Sequence, residues 1–80
     1  MMTMTNNTNS GFIELNAFIK AKGIASTGGN AKNIIRSGKV KVNDEIETRN
    51  KKKLFIDDVV EFDGNKFVVD DSIDLKHHQL

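Results

Sequence analysis

The spacing of apolar residues changes at Gly38, and this change constrains the fold more than any other feature of the sequence. Before Gly38, apolar residues recur at intervals of three and four, which is the spacing of one helix face. Two such groups occur: Leu15, Phe18 and Ile19, extended by Ile13 and Ala17, and then Ala31, Ile34 and Ile35. After Gly38, apolar and polar residues alternate, as they do in half-buried strands. The sequence therefore predicts two helices followed by a β region.

A glycine follows each predicted helix. Gly23 ends the first helix and Gly38 ends the second, since glycine adopts the left-handed conformation that is common just after a helix. Ser26 or Thr27 is expected to cap the start of the second helix, because short hydroxyl side chains accept hydrogen bonds from N–H groups of the first turn. Both helices are therefore predicted to be short.

Turn residues divide the β region into short antiparallel strands. Asn43-Asp44 lies where a two-residue hairpin turn belongs, Asp57-Asp58 marks a second turn, and Asp63-Gly64 a second hairpin. Around the first turn, Val40, Val42, Ile46 and Thr48 alternate with Lys39, Lys41, Glu45 and Glu47. The order helix, helix, hairpin, basic loop, hairpin predicts an α+β fold, with two short helices packed on a small antiparallel sheet of hairpins.

The chain of 80 residues has room for one domain. Residues 12–70 carry the helix and strand patterns. Residues 1–11 are expected to form a disordered N-terminal tail, and residues 71–80 a flexible acidic and polar C-terminal tail. The lack of cysteine and of a long apolar run predicts a cytoplasmic protein with no disulfide and no membrane segment.

Charge is segregated along the chain although the net charge is only +1. Residues 27–55 hold eight basic and three acidic residues, a net charge of +5, whereas residues 56–80 hold two basic and seven acidic residues, a net charge of −5. Clustered positive charge favours a polyanionic partner. We expect the acidic stretch 57–74 to repel nucleic acid from the opposite face of the domain.

The segment Ile34-Ile35-Arg36-Ser37-Gly38-Lys39-Val40-Lys41-Val42-Asn43 resembles the signature of the αL-type RNA-binding domain first defined in small-subunit ribosomal protein S4. In that family a helix ends with an aliphatic, a basic and a polar residue before glycine, and then runs into Val-x-Val-Asn and a turn. Residues 57–61 resemble the second half of the family pattern, and the resemblance covers about residues 13–70. It is strongest to the short stand-alone YbcJ/YaaA-like proteins, which share the Ala31-Lys32 and Glu47-Thr48-Arg49 features.

The resemblance implies a non-catalytic protein that binds structured RNA, either ribosomal or transfer RNA, with the ribosome or a ribosome-assembly particle as its setting. It implies a basic groove between the start of the second helix and the following hairpin. The matching positions are Lys32, Arg36, Lys39, Lys41, Asn43 and Arg49. One departure is that ribosomal and synthetase versions usually carry an arginine where this chain has Gly28, which puts an arginine–phosphate contact there in doubt.

The residues themselves support such a surface. Lys32 and Arg36 are four apart and share one helix face, and Lys39 and Lys41 are two apart and share one strand face. The run Lys51, Lys52 and Lys53 beside Arg49 is predicted to add phosphate contacts rather than to be only a solvated loop. A further candidate is a phosphate held by backbone N–H groups at the helix start, at Thr27, Gly28 and Gly29, with a plain loop-to-helix junction as the alternative.

Other chemistries are less well supported. The sequence has neither Tyr nor Trp, and its five Phe residues mostly fit core positions, with Phe12 and Phe55 less certain, so we expect recognition of RNA shape and backbone with little base stacking. His77 and His78 fit a solvated tail better than a metal site. We expect no cofactor, metal or small-molecule substrate. The alternatives are a protein-interaction module whose basic face binds an acidic partner, and a double-stranded DNA binder.

Overall fold

A computed structural model describes residues 11–70 of the chain, which form the predicted α+β arrangement. The elements in chain order are β1 Ile13–Glu14, α1 Leu15–Ala21, α2 Gly28–Arg36, β2 Val40–Val42, β3 Glu45–Ile46, β4 Lys53–Leu54, β5 Val59–Phe62 and β6 Asn65–Val68. The expected tails lie outside the described residues except for Gly11, and so do His77 and His78. Neither described helix is long and apolar enough to cross a membrane.

The predicted glycines follow both helices, each directly after the C-cap residue. Gly23 and Gly38 have φ angles of +78° and +83°, in the left-handed region that favours glycine. Of the two candidate caps for α2, Thr27 is the N-cap, and its Oγ1 accepts a hydrogen bond from the Asn30 N–H at 3.0 Å. The Asn30 side-chain oxygen in turn accepts a hydrogen bond from the Ser26 N–H at 3.1 Å. These two hydrogen bonds hold the residues before α2 against its first turn.

Four strands form the main antiparallel sheet in the order β3-β2-β5-β6. The turn residues Asn43 and Asp44 have φ angles of +52° and +72°, and Asp63 and Gly64 have +54° and +80°. Two consecutive positive φ angles are typical of the tight two-residue turns whose twist matches antiparallel strands. The two predicted hairpins are therefore confirmed.

The short strands β1 and β4 form a separate antiparallel pair, with Ile13 opposite Leu54 and Glu14 opposite Lys53. Ile13 was expected to extend the apolar face of the first helix, and this was wrong, because the residue lies in β1 instead. Its side chain is still buried, together with Leu54. The pairing joins the start of the folded segment to the basic run 40 residues later.

The hydrophobic core lies between the two helices and the inner faces of the sheets. The side chains that are 2% exposed or less and have the largest volumes are Phe18, Leu15, Ile19, Ile35, Leu54, Val40, Val60 and Val69. Every element except the edge strands β3 and β6 contributes to the buried residues, so helix faces and strand faces close over one core. The burial of these side chains is the main source of stability in so small a domain.

Ile46 departs from the expected pattern. The two-residue turn places Val42 opposite Glu45, and therefore Lys41 opposite Ile46. Since cross-strand partners share a face, Ile46 lies on the outer side with Lys41, and it is 62% exposed. Reading the alternation straight through the turn gave the wrong face for this residue.

Candidate nucleic-acid interface

The exposed face of α2 carries Lys32 and Arg36. Both side chains are exposed, whereas Ala31 and Ile35 on the other side of the helix are fully buried. The structure describes one ion pair among residues 11–70, and neither Lys32 nor Arg36 takes part in it. Two solvated cations one helical turn apart are therefore available to a ligand, in the positions predicted from the sequence.

Lys41 lies on the outer face of the main sheet in a row of cross-strand neighbours. Along this row it has Ile46 on one side and Glu61 on the other, and Lys66 lies beyond Glu61. The acidic stretch was expected to occupy the opposite face, and for Glu61 this was wrong. Antiparallel pairing of β5 with β2 places this carboxylate directly beside Lys41.

Lys39 has an acidic neighbour of its own. Together with Phe62 and Asp63 it lines an open groove of about 450 Å³ at the end of the β2–β5 ladder. The outer face of the sheet therefore carries charges of both signs, and the positive potential around Lys39 and Lys41 is weaker than the sequence segment suggests.

The basic loop, residues 49–53, is held against the start of α1. The Leu15 N–H donates to the Lys52 carbonyl at 2.8 Å, and the Asn16 N–H donates to the Asn50 carbonyl at 3.0 Å. These are N–H groups of the first turn, which have no acceptor within their own helix. Within the described residues the Glu14 side chain makes no capping bond, so the loop carbonyls perform that role. The loop predicted to be irregular is thus fixed by backbone hydrogen bonds.

Four side chains of the basic loop line an open groove of about 430 Å³: Arg49, Lys51, Lys52 and Lys53. Arg49, Lys51 and Lys53 are exposed and Lys52 is half-buried. Because the backbone beneath them is hydrogen-bonded, the points at which these side chains leave the chain are fixed before any ligand binds. This is the strongest concentration of like charge in the described part of the chain.

Arg49 is oriented by Glu47, a residue to which the sequence assigned no role in the site. The arginine donates from Nε to Oε2 at 2.9 Å and from Nη2 to Oε1 at 3.0 Å, and its backbone N–H also donates to Oε2. These hydrogen bonds hold the pKa of Glu47 at about 2, below its ordinary value of 4.5, and the charge of Arg49 adds to the effect. The pairing raises the pKa of Arg49.

The Arg49 side chain remains 71% exposed although it is paired, whereas that of Glu47 is 13% exposed. The bidentate contact uses Nε and one hydrogen of Nη2, which leaves donors of the guanidinium facing solvent. Arg49 is therefore pre-oriented, and it can bind a second anion without leaving Glu47.

Asn43 has a structural task in the hairpin turn. Its side-chain oxygen accepts from the Val59 N–H at 3.0 Å, and its amide donates to the Asp58 carboxylate at 3.2 Å. Asp58 also accepts from the Phe55 N–H at 2.8 Å. Asp57 has a positive φ of 79°, so the Asp57-Asp58 pair is a connecting turn, as predicted. Contact between Asn43 and RNA remains a prediction for a side chain that is already engaged.

The start of α2 is open to solvent at Thr27, Gly28 and Gly29, which are all exposed. A Cβ atom added at Gly28 would meet nothing within 4 Å. The cap from Thr27 occupies the Asn30 N–H, and the N–H groups before it have no acceptor within the helix. Phosphate binding there remains a prediction. Within residues 11–70, no group of three His, Cys, Asp or Glu side chains is placed to hold a metal ion.

Two comparisons place this chain among known proteins. The family model described as the S4 domain matches residues 7–70. The chain is also similar to the probable ribosome maturation protein RlbA of Bacillus subtilis (strain 168). The two are 40% identical over 52 residues, which cover 65% of this chain and 73% of that protein.

Proposed function

This chain belongs to the S4 domain family, and we propose on that basis that it is a non-catalytic protein that binds structured RNA through α2, the β2–β3 hairpin and the basic loop. The observation that carries the proposal is that most of the positive charges are not engaged in ion pairs with described residues. Of the eight Lys and Arg residues between positions 27 and 55, the ion pair between described residues engages only Arg49. Charges left solvated on a fixed scaffold suit phosphates.

The proposed mechanism is recognition of backbone geometry. The backbone positions of Lys32 and Arg36 have a spacing fixed by α2, and those of the basic-loop cations have a spacing fixed by the hydrogen bonds of the loop to α1. Cations carried on a fixed backbone bind best to phosphates that are themselves held at fixed spacing, because less conformational entropy is lost on binding. Folded RNA presents such phosphates, whereas a flexible single strand does not.

The predicted contact residues should differ in how much they contribute to the affinity for RNA. The α2 cations have no ion pair with a described carboxylate, and the four cations of the basic loop outnumber their neighbours Glu47 and Glu14, whereas Lys39 and Lys41 adjoin Asp63 and Glu61. The first two groups should therefore contribute most of the affinity, and the sheet residues should contribute less. Asn43 and the helix start at Thr27, Gly28 and Gly29 complete the proposed surface.

The RNA we propose is ribosomal RNA, free or within an assembling ribosomal particle, and transfer RNA is the second candidate. The similarity to a protein named for ribosome maturation supports this choice. The same role implies the cytoplasmic location that the sequence predicts.

Binding to matched nucleic acids tests this proposal. The protein is titrated with a ribosomal RNA fragment, a transfer RNA and a DNA duplex of equal length at one salt concentration. We expect tight binding to at least one RNA and weak binding to DNA. Equal affinity for RNA and DNA would favour the DNA-binding alternative. No binding to any of the three by folded protein would favour an acidic protein partner.

A further inference from the structure

The β1–β4 pair has an outer face of its own. Ile13 and Leu54 are paired and buried, so their chain neighbours point the other way. Phe12 and Glu14 are the neighbours of Ile13, and Lys53 and Phe55 are the neighbours of Leu54. Two rings from distant parts of the sequence are thereby brought to one surface, together with Lys53 and its cross-strand partner Glu14.

The rings and the lysine are in contact on this face. The centroids of Phe12 and Phe55 are 6.3 Å apart with the rings tilted by 51°, which is a normal aromatic pair. The Lys53 ammonium lies 4.9 Å from the centroid of Phe12, within cation–π range. Lys53 therefore covers the Phe12 ring, and Phe55 is left as the open surface, 44% exposed.

Phe55 differs from the other phenylalanines of the domain. Phe18 is fully buried, and Phe62 and Phe67 pack against the core. The Phe55 backbone is fixed, because its N–H donates to Asp58 at 2.8 Å. A ring that is held at its backbone, supported by a second ring and open to solvent can accept a flat ligand without first ordering itself.

The charge beside the ring indicates which flat ligand fits. Lys53 belongs both to the basic loop and to the aromatic face, so the two surfaces are continuous. Lys53 and Phe55 are two residues apart on one face of an extended segment, about 7 Å by strand geometry. This is comparable to the distance between a base and its own phosphate.

We infer that Phe55, supported by Phe12, stacks on an unpaired base of the bound RNA while Lys53 contacts the adjoining phosphate. The inference rests on the proposed RNA-binding function and adds a base-binding subsite to it. The sequence predicted little stacking because it has neither Tyr nor Trp and its Phe residues mostly fit core positions. Phe12 and Phe55 form an aromatic surface only through the pairing of β1 with β4. The subsite would direct the protein to helices that carry a loop or bulge rather than to uninterrupted duplex.

The experiment uses a ribosomal RNA hairpin with 2-aminopurine in its loop and the same stem closed as a loop-free duplex. Phe55→Leu keeps an apolar side chain but removes the ring, and Phe55→Trp keeps a ring. Val68→Ala is the matched control, since Val68 is also an exposed apolar residue, at 49%, and lies on β6. Circular dichroism and thermal melting establish that each variant is folded.

We expect Phe55→Leu to weaken hairpin binding by about 5- to 100-fold with an unchanged salt slope and unchanged duplex binding. Quenching of 2-aminopurine on binding should be lost in Phe55→Leu and kept in Phe55→Trp and Val68→Ala. Normal hairpin binding by Phe55→Leu would overturn the subsite and leave the proposed function intact. Failure of the wild type to bind either RNA would overturn both.

Discussion

The cross-strand neighbour of Lys41 lowers the positive electrostatic potential that a ligand would find at this residue. Its β5 partner is Glu61, and the two side chains share the outer face of the sheet. A carboxylate at the directly opposite cross-strand position competes with a phosphate for the ammonium and repels the phosphate directly. The sequence shows Lys41 in a basic segment and Glu61 in an acidic one, and only the strand pairing brings them together.

Replacing Glu61 with Gln should therefore strengthen RNA binding by about two- to five-fold at low salt, in line with the small energies of exposed charge pairs. Fluorescence anisotropy with the ribosomal RNA fragment measures the change. The matched control is Glu45→Gln, because Glu45 is opposite Val42 and not on the face of Lys41. Equal gains in the two variants would mean that only net charge matters and that Lys41 has no specific contact.

Glu47 should make a pH-dependent contribution to stability. Its pKa in the folded state is about 2 against an ordinary value of 4.5, owing first to the hydrogen bonds from Arg49. A lowered pKa means that the contribution is complete above pH 4.5 and is lost as the pH falls towards 2. Glu47→Gln should cost up to about 1 kcal/mol near neutral pH, because the arginine end of the pair is solvated.

Urea denaturation of wild type and Glu47→Gln across this pH range measures the difference in free energy of unfolding. The two free energies of unfolding should become equal at the acid end of the range. The difference between wild type and Glu45→Gln should show no such dependence on pH. A gap that stays constant with pH would contradict the account of the Glu47–Arg49 pair.

Among the elements, α1 has an unusual source of N-terminal capping. Its first N–H groups donate to carbonyls of the basic loop, whereas the start of α2 is capped by its own Thr27. Amide hydrogen exchange should therefore find Leu15 and Asn16 protected nearly as well as the interior of α1, although first-turn amides normally exchange fast. Gly28 and Gly29, in the first turn of α2, serve as the comparison and should exchange quickly. Fast exchange at Leu15 and Asn16 would show that the basic loop is not held in place.

The elements that the sequence predicted correctly are those determined by local signals. Helix spacing, the two terminal glycines and the two-residue turns depend on residues within a few positions of one another. The β1–β4 pair was not predicted, because each strand has only two residues and its partner is about 40 positions away. Alternation over two residues is not a readable pattern.

In the candidate site too, features set by local sequence signals could be predicted, and features set by pairing of strands could not. The exposed positions of Lys32 and Arg36 could be predicted, since both lie on a helix whose opposite face is clearly apolar. The exposure of Ile46 could not be read from alternation alone, because the tight turn resets the phase between strands. Counting across the turn from Val42 to Glu45 would have given the correct face. The aromatic surface of Phe12 and Phe55 depends on the unpredicted β1–β4 pair.

Over the whole molecule, the segregation of charge along the chain is only partly kept in space. Strand β5, from the acidic segment, lies between β2 and β6, so Glu61 has Lys41 on one side and Lys66 on the other. Positive charge remains concentrated on the exposed face of α2 and in the basic loop, where four cations outnumber the neighbouring Glu14 and Glu47. RNA binding should therefore depend on these surfaces and not on the total charge of the protein.

The dependence of RNA affinity on salt tests that expectation most directly. Wild type is compared with Lys32→Gln plus Arg36→Gln, and with Lys20→Gln plus Lys22→Gln, which removes the same charge from α1 and its C-terminal end. A surface that contacts about four to six phosphates should give wild type a log–log slope of roughly −3 to −5. The α2 variant should lower the magnitude of this slope by roughly 2, and the α1 variant should leave it unchanged. Equal slopes for the two variants, or a wild type that does not bind, would contradict the assignment of the α2 face as an RNA-binding surface.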